Sequence, residues 1–182
     1  MTDPRTLSDL ILRLARLEQA EAWQDDLNPA QRAALAYLLR ANRFSRAPSQ
    51  VADYLGTTRG TVSQTLKSLE AKGHVAAEAV PGDRRSIRYL LTDSGRAAMA
   101  QPGLLEAALT ELDITAACGL HALLAEVLGK AIARNRARPF GICADCTHFR
   151  PEAPGGFCLL LSERLDREET RQICHEQRPR AA

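Results

Sequence analysis

A proline at 48 and glycines at 56 and 73 cut one stretch of this chain into two helices of unequal length, and that punctuation constrains the fold more than any other feature. Pro48 to Leu55 reads as a short helix that stops at Gly56. Thr58 then caps a second helix, Arg59 to Lys72, which Gly73 closes. The tight turn at Gly56-Thr57 makes the pair a helix-turn-helix candidate. On the second helix Val62, Leu66 and Leu69 share one face and are expected to pack on the preceding helices. Arg59, Gly60, Ser63, Gln64 and Lys67 are then left outward, a surface able to donate to phosphates and to base edges in a major groove. The same stripe is an ordinary solvated face in most proteins, so the helix pair alone does not decide the matter.

The flanking pattern extends the reading. Leu7, Leu10, Ile11, Leu14 and Leu17 recur at helical steps and predict an amphipathic helix from Leu7 to Trp23. A second helix is expected from Asn28-Pro29, with Asn28 as N-cap, to about Asn42, carrying Leu35, Leu38 and Leu39 inward. Beyond Gly73 the period shortens. His74 to Val80 and Ser86 to Leu91 read as extended segments around Pro81-Gly82-Asp83-Arg84-Arg85, a hairpin with a basic tip. Thr92 caps a further helix beginning at Asp93, which Pro102-Gly103 must break. The helical pattern resumes over Leu104 to Leu112, and a last helix runs from Thr115 to about Arg134. At Arg138-Pro139 helical periodicity fades and Gly, Pro, Cys and aromatic residues enter, which places a boundary between residues 1–138 and 139–182.

Composition narrows the class. A chain of 182 residues, 45% hydrophobic and 25% charged, is long enough for one ordinary domain with an appendage and too apolar for wholesale disorder. No stretch approaches the ~20 uninterrupted apolar residues of a membrane span. Met1 to Arg5 lacks the basic-then-apolar layout of a signal peptide, so a cytoplasmic protein without a membrane partner is expected. A net charge of +2 neither demands nor excludes nucleic acid. Residues 43–96, however, hold nine Lys/Arg against five Asp/Glu, which concentrates positive charge around the helix pair and the hairpin. Arg84 and Arg85 at the hairpin tip, with Arg88 on the return strand, form a candidate phosphate and minor-groove contact set; the bland alternative is a solubilising turn.

Taken in order, several segments resemble the MarR family of winged-helix regulators. They are Leu27 to Gln31, Leu55 to Gln64, Leu69-Glu70-Ala71-Lys72-Gly73, Asp83-Arg84-Arg85 and Leu91-Thr92-Asp93-Ser94-Gly95, and the resemblance covers about residues 6–134. It implies a mainly α fold with a small β-hairpin wing (α+β), a winged helix-turn-helix carried on a helical dimerisation region. It also implies a homodimer whose first and last helices interlock and whose two recognition helices read a pseudo-palindromic operator in double-stranded DNA. Thr58, Arg59, Thr61, Ser63, Gln64 and Lys67 would then meet the major groove, Arg84 and Arg85 would sit on the wing, and Asp83 would brace those arginines. One departure is visible: the helix after the wing is usually continuous in that family, whereas Pro102-Gly103 interrupts it here.

Cysteine placement is the second strong signal. Cys118 stands alone, while Cys143, Cys146, Cys158 and Cys174 crowd the end of the chain. Two cysteines separated by two residues can chelate one metal centre from a tight turn, and the other two complete a four-thiolate site. Ligand softness restricts the candidates to zinc or iron–sulfur, and a cytoplasmic setting disfavours disulfides. Zinc is the simplest reading and would staple a segment too small to fold alone. The ligands nevertheless come as two, one and one, a spread often seen with cubane clusters, and Gly141-Ile142, Gly155-Gly156-Phe157 and Leu159-Leu160-Leu161 offer apolar cover. Residues 141–176 are similar in spacing to high-potential iron–sulfur proteins and to small subunits of arylalkylsuccinate synthases, which favours a [4Fe-4S] cluster over Zn2+. His148 and His175 beside the ligands are read as surface or hydrogen-bonding groups, Cys118 as a small buried hydrophobe and Trp23 as dimer core.

The functional expectation is therefore a homodimeric DNA-binding transcriptional regulator whose tail cluster senses redox state, oxygen, nitric oxide or iron–sulfur supply. The alternative keeps the regulator and gives it a structural zinc tail and a small-molecule effector. A redox or electron-transfer protein is the weaker third reading, because no nucleotide-binding glycine loop, nucleophile–base pair or substrate pocket is evident, and no enzymatic activity is expected.

Overall fold

A computed structural model describes residues 3–21, 26–80 and 83–180; within the hairpin, the side chains of residues 83–85 are outside the description. The fold is mainly helical with a small β-hairpin wing. Helices α1 (Pro4–Glu21), α2 (Pro29–Arg40), α3 (Pro48–Leu55) and α4 (Arg59–Ala71) precede the wing strands β1 (Val75–Val80) and β2 (Asp83–Leu91). Helices α5 (Asp93–Ala98), α6 (Leu104–Thr110) and α7 (Ile114–Asn135) follow. The tail holds β3 (Gly141–Ile142), β4 (Phe149–Glu152), β5 (Gly155–Cys158), β6 (Glu163–Leu165) and β7 (Ile173–Cys174), with one-turn helices at Cys143–Asp145 and Glu169–Arg171. Strand β3 pairs with β7, and β4-β5-β6 form a separate antiparallel sheet.

Capping chemistry sets the helix starts. Asn28 Oδ1 accepts the Gln31 N–H at 2.9 Å while Gln31 Oε1 accepts the Asn28 N–H at 3.1 Å, a reciprocal box that satisfies two orphan donors. Gln31 Nε2 also donates to Ser68 Oγ at 2.9 Å and so ties α2 to α4. At the end of α3, Gly56 takes a left-handed conformation (φ 62°), which residues bearing a Cβ adopt at a cost. Thr58 Oγ1 then accepts the Thr61 N–H at 3.1 Å and opens α4.

The main core lies between α2, α3, α4 and the wing. Leu35, Leu38, Val51, Val62, Leu66, Leu69, Val75 and Tyr89 are buried there, and each large aliphatic side chain contributes about 1.5–3 kcal/mol relative to exposure. Ile173 of β7 joins the same core from the tail, and Phe140 packs edge-on against Tyr37 and Tyr54. The tail therefore sits on the α2–α3 side of the head.

Several expectations change. The first helix begins at Pro4, three residues early, and Trp23 lies outside the described residues. Leu39, read as inward, is exposed, because the buried face of α2 runs through Ala34, Leu35, Tyr37 and Leu38. Strand β2 begins at Asp83 instead of Ser86. Its pairing jumps from Val80–Asp83 to Ala79–Ile87, so residues 84–86 bulge from the ladder. Pro102-Gly103 does end the helical run: α5 stops at Ala98 and α6 starts at Leu104. The first amides of α6 are taken by α1, with Leu104 N–H donating to Glu21 and Leu105 N–H to Glu18, each at 2.8 Å. Carboxylates suit the positive end of a helix. Cys118 is exposed, since α7 buries none of its residues within this chain. By length and composition alone α7 is also apolar enough to cross a membrane, although Glu126 and Lys130 form an ion pair along it.

Candidate nucleic-acid interface and cysteine site

Burial on α4 sorts its residues. Val62, Leu66 and Leu69 are buried, whereas Thr58, Arg59, Gly60, Thr61, Gln64 and Lys67 are exposed and Ser63 is half-buried. Thr58 is committed to the helix start, and its hydroxyl lies 2.9 Å from that of Thr61, so these two frame the outward face while Arg59, Ser63, Gln64 and Lys67 present its donors. The wing is braced at its base. Arg88 Nε donates to Glu78 at 2.8 Å on the facing strand, which removes Arg88 from the free contact set assumed for the tip. Arg84 and Arg85 lie in the backbone bulge, and their side chains, like that of Asp83, are outside the description. Arg46 donates twice to the Ala41 carbonyl, and burial together with Arg96 and Arg88 pulls its guanidinium pKa down.

The four tail cysteines line one small cavity of about 20 Å3 together with His148, Phe149, Leu160, Leu165 and Glu176. Cys143, Cys146 and Cys174 are buried and Cys158 is half-buried. Their sulfurs meet N–H donors. Asn42 Nδ2 donates to Cys143 Sγ at 3.3 Å, and the backbone amides of His148 and Arg178 each donate to Cys146 Sγ at 3.4 Å. Such donors stabilise a sulfur that carries negative charge. Cys143 and Cys174 share a hydrogen bond. It pulls the Cys174 thiol down to about 6, against burial and with help from the Glu176 amide, Asn42 and Ser45; the same bond and burial push Cys143 up.

Two tests of fit for a metal group follow. His148 Nε2 is buried on the cavity wall with no partner among the described residues, a polar atom that a group in the cavity would satisfy. Among the described residues no three Cys, His, Asp or Glu side chains stand close enough to hold one metal ion. The donor set is soft and lines one cavity.

Sequence reasoning found the cysteines but missed their supports from the α2–α3 segment. Asn42 and Phe44 reach the cysteine cluster from about a hundred residues away, and Ser45 Oγ accepts the His175 N–H at 2.9 Å. Apolar cover comes from Phe44, Phe149 and Leu165, with Leu160 on the wall; Leu159, counted as cover, is half exposed. His175 is buried, its ring 3.4 Å from Asp53 Oδ2 of α3 and 3.1 Å from Glu176 Oε1.

Residues 25–86 match the family model described as "MarR family". A comparison with curated protein sequences yields no match. Among solved structures the fold is similar to an S. aureus MepR–DNA complex, at 20% identity and a TM-score of 0.55 over 72% of this chain and 99% of that one. It is likewise similar to apo MarR from E. coli, at 22% identity and a TM-score of 0.54 over 70% of this chain and 98% of that one. A MarR family transcription regulator, SP03579, gives 20% identity and a TM-score of 0.54 over 73% of this chain and 91% of that one.

Proposed function

We propose that this chain, whose residues 25–86 carry the MarR-type winged helix, is a homodimeric DNA-binding transcriptional regulator with a [4Fe-4S] cluster on Cys143, Cys146, Cys158 and Cys174. The observation that carries the reading is a joint placement: α4 presents an outward donor face, and the tail's four-cysteine cavity is supported by Asn42, Phe44 and Ser45, just before α3. In the DNA-contacting role, Arg59, Ser63, Gln64 and Lys67 face the major groove, Thr58 and Thr61 hold the start of α4, and Arg84 and Arg85 on the wing reach the flanking backbone. The similar MepR chain is bound to DNA, which supports the reading.

Dimerisation accounts for the exposed apolar surface. Leu7, Leu10, Leu14 and Leu17 on α1 and Leu123, Leu124, Val127 and Leu128 on α7 are exposed in one chain, more apolar area than a monomer keeps in water. A second copy covers it in this reading.

When bound, the cluster supplies one-electron redox chemistry and sensitivity to oxygen or nitric oxide. The chain's own part is to hold thiolates with N–H donors from Asn42, His148 and Arg178 and to exclude water with Phe44, Phe149 and Leu165. The four soft donors admit either an iron–sulfur cluster or zinc, and the two-one-one spacing of the cysteines in the sequence is what favours the cluster. The second reading, a structural zinc tail with a small-molecule effector, is favoured by the same soft donor set.

The test is anaerobic purification with iron, sulfide and zinc determination, followed by selection of bound duplexes from a random DNA pool and salt titration of the selected duplex. The expected result is a brown protein absorbing at roughly 400 nm, typical of this cluster type, and affinity that falls steeply with salt. A colourless protein with stoichiometric zinc replaces the cluster by the zinc reading. Absence of salt-dependent DNA binding overturns the regulator.

A further inference from the structure

The cysteine cavity and the wing meet at one short segment, residues 41–47 between α2 and α3. On its tail side the Asn42 N–H donates to the Ile173 carbonyl at 2.9 Å, and Ser45 Oγ receives the His175 N–H at 2.9 Å. Asn42 Nδ2 donates to Cys143 Sγ at 3.3 Å while its Oδ1 accepts the Phe44 N–H at 3.1 Å. One amide side chain, only 1% exposed, therefore bridges a cysteine sulfur and the segment's backbone. On the head side the Arg46 carbonyl accepts the N–H of Tyr89 in β2 at 3.0 Å, and Gln50 of α3 donates to the Phe44 carbonyl at 2.9 Å.

A buried amide is costly unless each polar group is matched. The partner of the Asn42 donor is the Cys143 sulfur, so that donor stays matched only while the sulfur keeps its place. The position of Cys143 thus bears directly on a side chain that shapes the segment between the cysteine site and the reading head.

We infer that residues 41–47 are the strut by which occupancy of the cysteine site is transmitted to the wing, with Asn42 as its positioning residue; this rests on the reading that the four cysteines hold a metal group. A metal-held thiolate at 143 keeps the Asn42 donor matched and β7 seated against the segment. When the metal leaves, the Cys143 sulfur is no longer held in place, the Asn42 donor loses its fixed acceptor, and β7 loosens. Ile173 is both a member of the head's core and the acceptor for the Asn42 N–H, so its release disturbs the segment twice. The Arg46–Tyr89 hydrogen bond carries the change into β2.

The test is hydrogen exchange followed by mass spectrometry on the full chain, metal-loaded and after chelation. Metal removal is expected to speed exchange about tenfold or more in peptides spanning 41–47 and 86–91, with α7 changing less than about twofold. In an Asn42→Ala protein that holds metal, the metal dependence at 86–91 is expected to shrink to about twofold or less, and Ser45→Ala is expected to be intermediate. A metal-bearing wild type whose 86–91 exchange ignores metal removal overturns the strut, as does a metal-bearing Asn42→Ala protein that responds like wild type. Should Asn42→Ala fail to fold or to hold metal, the wild-type pair and Ser45→Ala decide. A chain that holds no metal in any anaerobic preparation overturns the metal reading and the strut together, whereas the first two outcomes leave the metal reading standing.

Discussion

Beneath α4 the space is filled by Leu35, Leu38, Val51, Val62, Leu66 and Leu69, whereas the tail's own hydrophobic cluster, among the described residues, is Cys143, Leu165 and Cys174 with Phe44, Phe149 and Cys158 at its margin. The head is held by aliphatic burial, and its strength follows from area removed from water. The tail has too little apolar surface for that route, and one member of its small core, Phe44, is lent by the head. Strands of two to four residues add little on their own. Thiols, N–H···S bonds and seating on the head have to supply what carbon does elsewhere. The difference teaches that the head rests on carbon packing, whereas the tail rests on polar contacts and on its seat against the head.

Breaking a ligand should give the largest contrast. Cys143→Ser is expected to abolish stoichiometric metal and unprotect the tail amides, while the helical circular dichroism of the head persists. Equal loss in both regions would erase the distinction drawn here. In the head, Leu66→Ala should cost about 2–5 kcal/mol in urea unfolding, the range for emptying a fully buried leucine site. Thr58→Ala removes the α4 cap and should cost about 1 kcal/mol by the same measurement. Ile173→Val sharpens the comparison, because this residue is tail by sequence and head by packing. Its expected cost of about 0.5–1.5 kcal/mol should appear in the unfolding of the head; no change there would mean the tail is merely tethered. The smallest effect is on binding: Arg59→Ala or Lys67→Ala should lower the slope of log affinity against log salt by about one if each meets a phosphate.

What the sequence made legible follows the same divide. Pro48, Gly56, Thr58 and Gly73 act within a residue or two of themselves, so α3 and α4 could be bounded almost to the residue. Leu39 misled because α2 offers more leucines than its buried face uses. The hairpin's early start and its bulge depend on pairing across the strands, which no run of β2 encodes alone. Cys118 was read as buried from its Ala and Leu neighbours, but α7 has no cover within one chain. The cysteine quartet was legible as a set because four of the five cysteines crowd between residues 143 and 174, and the fold lines one cavity with them. Its supports were not, since Asn42 and Ser45 look like ordinary turn residues until the fold brings them to Cys143 and His175.

The interruption at Pro102-Gly103 has a mechanical meaning. An unbroken helix would be a stiff lever between the wing and the α1–α6 pair, and any tilt of one against the other would have to bend it. Here the lever is jointed. Glu18 and Glu21 clasp the front of α6, and Gly103 lies so close to the Glu18 carboxylate that a side chain there would collide with it. The run from the wing to α6 can therefore change direction between Ala98 and Leu104 without unwinding a turn of helix, and two carboxylate clasps fix where α6 leaves α1.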